Sequence, residues 1–245
     1  MSRNTLIKTY TRRDILKAGT ASAIAVNFLP ARVFGANERI TMAGIGVGGK
    51  GGSDISGAGE VGEVVALCDC DFNRGGGAAK KWPKAKKFTD FREMLDKMGK
   101  DIDAVTVVTP DHTHFPAAML AMSMGKHVYV EKPLTHSYLE ADLLMKAEKK
   151  FGVITQMGNQ GHTSGGSVQF AQLLKAGALD GFNKIDAWKS PGLFFMDKNR
   201  RISTFPQAEE QPKSLNWDLW CGPAEMKPFN KLYHPFDWRA FYLYG

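Results

Sequence analysis

Glycines set directly after an apolar run constrain this chain more than anything else in it: Ile40-Thr41-Met42-Ala43-Gly44 leads into Gly44-Ile45-Gly46-Val47-Gly48-Gly49. A strand that turns at glycines into a helix lets the backbone approach a pyrophosphate, whose charge the helix N-terminus then favours. That spacing marks a dinucleotide site. The next strand-like run, Glu63-Val64-Val65-Ala66-Leu67-Cys68, ends in Asp69, twenty residues after Gly49. A carboxylate there accepts hydrogen bonds from the adenosine ribose hydroxyls. Gly44, Gly46, Val47, Gly48, Gly49 and Asp69 are therefore the first candidate cofactor contacts.

The run Asp103-Ala104-Val105-Thr106-Val107-Val108 is short, β-branched and apolar, as a strand buried on both faces should be, and stops at Thr109-Pro110-Asp111-His112-Thr113-His114. A helix is expected from about Phe115 to Met124, ended by Gly125; Lys126-His127-Val128-Tyr129-Val130 then forms a strand that Glu131-Lys132-Pro133 follows at once. In open parallel sheets ligands bind outside the carboxyl ends of the strands. Thr109, Pro110, His112, His114, Glu131 and Lys132 should thus converge with the glycine turn and Asp69 on one crevice. Ser137-Tyr138-Leu139-Glu140 reads as a capping box, and Leu139, Leu143, Leu144 and Ala147 give the following helix one apolar face. Alternation of strand and helix continues to Val153-Ile154-Thr155-Gln156, which predicts an α/β, doubly wound parallel sheet, a Rossmann-type domain over residues 37–157.

Residues 11 to 17, Thr-Arg-Arg-Asp-Ile-Leu-Lys, precede a mildly apolar stretch from Ala18 to Leu29. It is too short to span a bilayer as a helix, which takes about twenty residues. Paired Arg12 and Arg13, modest hydrophobicity and small residues at Gly35 and Ala36 resemble a cleaved twin-arginine export signal over residues 1–36, which implies a periplasmic protein folded before export. This segment carries +5 of the chain's net +7, so the remainder is nearly neutral, which argues against nucleic acid as a partner. Cys68, Cys70 and Cys221 lack companions at ligand spacing, so they read as buried thiols and no metal site is expected.

With the glycine turn, Thr109 to His114 and above all Glu131-Lys132-Pro133 in that order, the chain resembles the Gfo/Idh/MocA family of glucose-fructose oxidoreductase and inositol dehydrogenase. The resemblance implies a Rossmann domain followed by a substrate and oligomerisation domain, here residues 158–245, with NAD as cofactor, NADP possible, and a sugar or polyol as substrate. It also implies a homo-oligomer, with Lys132 as the catalytic lysine beside the nicotinamide and the substrate hydroxyl. Independently, oxidising an alcohol removes a hydride and a proton, and a cation near the oxygen stabilises the developing alkoxide. Pro133 suits a cis peptide, which X-Pro bonds alone make accessible. His162, in the Gly158-Asn159-Gln160-Gly161-His162 loop at the mouth of the crevice, is the second catalytic candidate.

Family members run well past 300 residues and supply a further histidine after the segment resembling Trp238-Arg239, so this chain is expected to be the N-terminal part of a longer protein. Within residues 158–245 the expected elements are a helix from Ser167 to Ala176, a strand at Asn183-Lys184-Ile185-Asp186-Ala187-Trp188, and an extended tail whose aromatic residues are mostly core and interface. Two other functions fit the same residues: an NAD-dependent glycosidase or lyase working through transient sugar oxidation, and a non-catalytic nucleotide-binding module.

Overall fold

The computed structural model describes residues 39–178, 180–181, 183–188 and 205–245. The arginine-pair segment lies outside them, as do residues 189–204.

Apolar runs become six strands: β1 Thr41–Ile45, β2 Glu63–Cys68, β3 Lys86–Phe88, β4 Ala104–Val107, β5 His127–Glu131 and β6 Thr155–Gly158. They form one sheet in the order β3-β2-β1-β4-β5-β6, and every pairing is parallel. The helices between them are α1 Lys50–Val61, α2 Phe72–Lys81, α3 Phe91–Met98, α4 His114–Ser123 and α5 Tyr138–Phe151. This is the doubly wound Rossmann fold, whose strand order reverses between β1 and β4 and so opens a crevice there.

Successive strand residues point to opposite faces of the sheet. Ala43, Ile45, Val105, Val107, Val128 and Val130 accordingly pack with Met94, Leu95, Ala117, Ala121, Met122, Leu144 and Ala147 of α3, α4 and α5 in one core. A smaller core on the other face joins Val47, Ile55, Val64, Leu67 and Ala78 under α1 and α2. Gly44 and Glu131 fall on that second face by the same alternation, with consequences for the site. Side-chain caps fix the helix starts: Asp71 accepts from Asn73 N at 3.0 Å, Asp90 from Arg92 N at 2.8 Å, and Ser137 and Glu140 close the predicted capping box. The apolar face expected on α5 is half right. Leu144 and Ala147 are buried, but Leu139 and Leu143 stand exposed, because the sheet lies under the other side of the helix. All three cysteines are free, two buried and Cys70 half-buried. Burial pushes each thiol well above its ordinary range, so the thiolate that would react is suppressed.

After β6 the chain forms α6, Gly165–Lys175, capped by Ser164 accepting from Ser167 N; Gly177 follows at φ 76°. The strand expected at residues 183–188 is absent. Those residues have no ladder partner, and Ile185 and Trp188 are 87% and 89% exposed, so β propensity found no sheet edge to satisfy it. Nor is the aromatic tail extended. Leu215, Trp217, Trp220, Phe229, Tyr233, Trp238, Phe241 and Tyr244 gather into a core of their own around α7, Trp217–Cys221. Trp217 and Trp220 stack at 4.5 Å, and Tyr233 meets Phe241 edge-on at 4.6 Å. Ring packing of this kind adds to area burial. It explains why a proline-rich segment without helical or strand period still folds.

Candidate cofactor and active site

The strand ends decide the register of the glycine turn. Gly44 lies inside β1, paired with Leu67 of β2 and Thr106 of β4, so the chain turns only after Ile45. Gly44 is thereby placed inside the strand and off the crevice, and the glycines at the turn itself are Gly46, Gly48, Gly49 and Gly51. Gly46 sits at φ 74°, and a Cβ there would lie 2.6 Å from Val108 O. Gly51, in the first turn of α1, is tighter still, since a Cβ would come within 1.8 Å of Gly46 O. The helix therefore starts directly against the turn, which is the role of the third glycine in a dinucleotide fingerprint. Gly51 was missed in the sequence because the same spacing fits two residues earlier.

Asp69 braces the turn from the end of β2. Its Oδ2 accepts from Val47 N and Gly48 N, both at 2.9 Å, and its Oδ1 accepts from Asp71 N at 2.9 Å. Burial pushes the Asp69 pKa up while these three amides pull it down, and burial prevails. A carboxylate offers about four acceptor positions, so one stays unused among the described residues, and Asp69 lines the crevice. Val47 itself contributes only backbone here; its side chain is buried beneath the turn. Gly49, at φ 53°, lies against Arg74: a Cβ there would be 3.2 Å from Arg74 Nη2.

The crevice outside β1 and β4 has a volume of about 870 Å³ and is lined by Gly46, Gly48, Gly49, Lys50, Asp69, Arg74, Thr109, Pro110, Asp111, His114, Glu131 and Lys132. Its far wall comes from the aromatic segment, through Asp218, Trp220, His234, Phe236, Trp238 and Arg239. Residues distant in sequence are thus brought together as expected, with two exceptions besides Gly44 and the Val47 side chain. His112 is buried against the aromatic segment rather than facing the crevice. Its Nδ1 lies 3.1 Å from Tyr244 O and its Nε2 3.0 Å from Trp220 O, and burial holds its pKa below the ordinary histidine value. His162 is exposed in the turn Gln160–Thr163 and does not line the crevice. From that loop it is Gln160, itself exposed, whose side chain reaches Glu131 and Tyr129. His114 is 1% exposed, its Nδ1 2.8 Å from Pro133 O and its Nε2 2.8 Å from Thr109 O, so it ties the end of β4 to the segment after β5.

The aromatic segment docks through more than His112. Asn216 N donates to Cys70 O at 2.9 Å, Leu215 bridges Asp71, and His234 Nε2 lies 3.3 Å from Asp71 Oδ2. Gly222, at φ 52°, permits close approach, since a Cβ would lie 2.8 Å from Thr113 Cγ2.

Lys132 follows β5 on an exposed lip of the crevice, before a cis peptide to Pro133. Its own backbone N–H donates to Glu131 Oε2 at 2.8 Å. Strand alternation turns Glu131 toward α1, where Oε1 lies 3.3 Å from Lys50 Nζ and also accepts from Gln160 Nε2. Lys50 in turn bonds Asp54, and Gln160 donates to Tyr129 Oη at 3.2 Å. Burial opposes the Glu131 charge, and the donors from Gln160, Lys132 and Lys50 outweigh it, holding the carboxyl below its usual range. Asp54 goes the other way: burial raises it despite Lys50. Gly158 makes room for this cluster, since a Cβ there would sit 2.7 Å from Tyr129 Oη. The first turn of the cofactor helix is in this way tied to the residue preceding Lys132.

The residues present suit a dinucleotide. A cradle of glycine backbone that any Cβ would fill, a helix N-terminus behind it and an acid at the end of β2 are the parts that hold a pyrophosphate and a ribose. Among the described residues no His, Cys, Asp and Glu group could hold a metal ion, and no helix is long and apolar enough to cross a membrane.

Comparison with known proteins places this geometry. Residues 39–159 match the model of the oxidoreductase family with an NAD-binding Rossmann fold. Over 125 residues the chain is 32% identical to 4-carboxy-2-hydroxymuconate-6-semialdehyde dehydrogenase of Sphingobium, covering 49% of this chain and 38% of that protein. Over 119 residues it is 29% identical to inositol 2-dehydrogenase of Salmonella paratyphi B, covering 48% and 35%. The chain thus spans little more than a third of these relatives. The crystal structure of myo-inositol 2-dehydrogenase from Lactobacillus plantarum superposes with a TM-score of 0.54 at 25% identity, over 58% of this chain and 42% of that one. Residues 39–159 are thus similar to the NAD-binding Rossmann domain of the Gfo/Idh/MocA family of oxidoreductases.

Proposed function

We propose that the crevice is the hydride-transfer site of an NAD-dependent dehydrogenase acting on a hydroxyl of a sugar or polyol, with Lys132 at the reacting oxygen. The observation that carries this reading is the placement of Lys132 on the lip of a crevice floored by the glycine turn and Asp69, held there by Glu131. Bound NAD would supply the hydride acceptor. Gly46, Gly48 and Gly51 would let its pyrophosphate approach α1, and the unused acceptor position of Asp69 would take a ribose hydroxyl. Lys132 forms no ion pair among the described residues, so its ammonium is available to stabilise the alkoxide that forms as the hydride leaves. Inositol and other dehydrogenases among the relatives support a polyhydroxylated or hydroxy-carbonyl substrate.

NAD is the expected nucleotide rather than NADP. Repulsion between the Asp69 carboxylate and a 2′-phosphate a few ångströms away is on the order of 1 kcal/mol or more in a partly screened site. Calorimetric titration of both nucleotides tests this. Asp69→Ser is expected to weaken both, because the turn loses its brace, and to narrow the ratio between them. Equal or tighter NADP binding by the wild type would refute the assignment.

Residues 1–36 support export by the twin-arginine route to the periplasm. The translocon reads the arginine pair rather than its charge, so replacing Arg12 and Arg13 by lysine should leave uncleaved protein in the cytoplasm. Normal periplasmic yield of the double mutant, measured by fractionation, would contradict this.

A further inference from the structure

The crevice wall opposite the glycine turn carries a cation that the dehydrogenase reading leaves unused. Arg239 lies in the short turn Asp237–Ala240 and lines the crevice together with Lys132 and Asp111. Its guanidinium sits 4.0 Å over the Trp238 ring and 4.7 Å over the Phe236 ring, and Nη1 donates to Phe236 O at 3.1 Å. It has no salt bridge among the described residues, and Asp111 and Asp237 act on it only from beyond bridging distance. The two rings lie against the guanidinium, and Phe236 O holds it at one nitrogen. Of five N–H donors, one is used by Phe236 O and no other has an acceptor among the described residues.

A half-buried guanidinium in that state is arranged for a planar oxyanion, which it binds through two parallel hydrogen bonds. Asp111 decides which oxyanion. It lines the same crevice, and its charge is felt by Lys132 and Arg239 alike. Arg239 and Lys132 beside the Asp111 carboxylate leave one positive charge to be offset, so a phosphate dianion would leave its second charge facing Asp111. We infer that Arg239 anchors a carboxylate of the substrate, so that the crevice takes a sugar acid in preference to a neutral sugar or polyol, with Lys132 at its reacting hydroxyl. This rests on the dehydrogenase reading and narrows its substrate class.

Calorimetry on the NAD-loaded protein tests the inference, with glucuronate, galacturonate, glucose and glucose 6-phosphate as probes. At least one uronate is expected to bind ten times more tightly than glucose. Arg239→Gln should bring that ratio within twofold, and Arg239→Lys, which keeps the charge but loses the fork, should fall between, with NAD affinity unchanged in both. Glucose binding as tightly as either uronate, a uronate preference that survives Arg239→Gln, glucose 6-phosphate binding tighter than both uronates, or no uronate binding at all would each overturn it. Failure of the wild type to bind NAD would contradict the dehydrogenase reading instead, and the uronate ratio would then be read on the nucleotide-free protein.

Discussion

Replacing Lys132 by methionine is expected to lower turnover of the holoenzyme on the order of a thousandfold while nucleotide affinity stays within a few-fold. Methionine keeps the length and apolar stem of lysine and removes only the cation. If that cation acts on the developing alkoxide, its loss appears in the transition state and not in the ground state, so kcat falls and the dissociation constant for NAD does not. A thousandfold corresponds to about 4 kcal/mol of transition-state stabilisation, within reach of one well-placed charge and proton carrier. Steady-state kinetics with a fluorescence titration of NADH separates the two quantities. Turnover within tenfold of wild type would reduce Lys132 to a surface residue beside a cis peptide.

A comparably large effect is expected at Gly51, on binding rather than chemistry. An added methyl would lie 1.8 Å from Gly46 O, a contact that no rotamer change relieves, because the backbone fixes the Cβ position and its partner is a backbone oxygen. Either α1 withdraws from the turn or the turn changes shape, and both destroy the surface on which a pyrophosphate would rest. Gly51→Ala should weaken NAD binding at least a hundredfold and destabilise the fold by about 3 kcal/mol. Gly57, in the same helix, is the control: a Cβ there meets nothing within 4 Å. Gly57→Ala should stabilise by about 0.5–1 kcal/mol and leave NAD binding unchanged. Denaturant titrations and NAD calorimetry on the two variants check the contrast, and equal behaviour would mean that the close approach at Gly51 has no bearing on the nucleotide.

These two residues also mark where the sequence was and was not legible. Lys132, Asp69 and the strand ends were readable because each is set by local pattern: a short apolar run, then the residue that ends it. Two overlapping G-x-G-x-x-G readings exist, from Gly44 and from Gly46. Only the pairing of Gly44 with Leu67 and Thr106, a long-range fact, shows that the strand runs through the first. The polar cluster behind Lys132 hid for the same reason. Lys50 and Asp54 look like an ordinary pair one helical turn apart, and nothing local says that Glu131 and Gln160 complete it. His112 was assigned to the cofactor because it follows β4, whereas its partners Trp220 and Tyr244 lie more than a hundred residues onward. At residues 183–188 a favourable β pattern failed because a strand exists only with a neighbour.

The central claim is that one crevice aligns a dinucleotide from the glycine turn to Lys132. A crystal structure of the protein soaked with NAD tests it most directly. The account predicts the pyrophosphate against Gly46, Gly48 and Gly49, an adenosine ribose hydroxyl on Asp69, and the nicotinamide beside Glu131-Lys132-Pro133. Nucleotide density on any other surface, or a nicotinamide pointing away from Lys132, would contradict it.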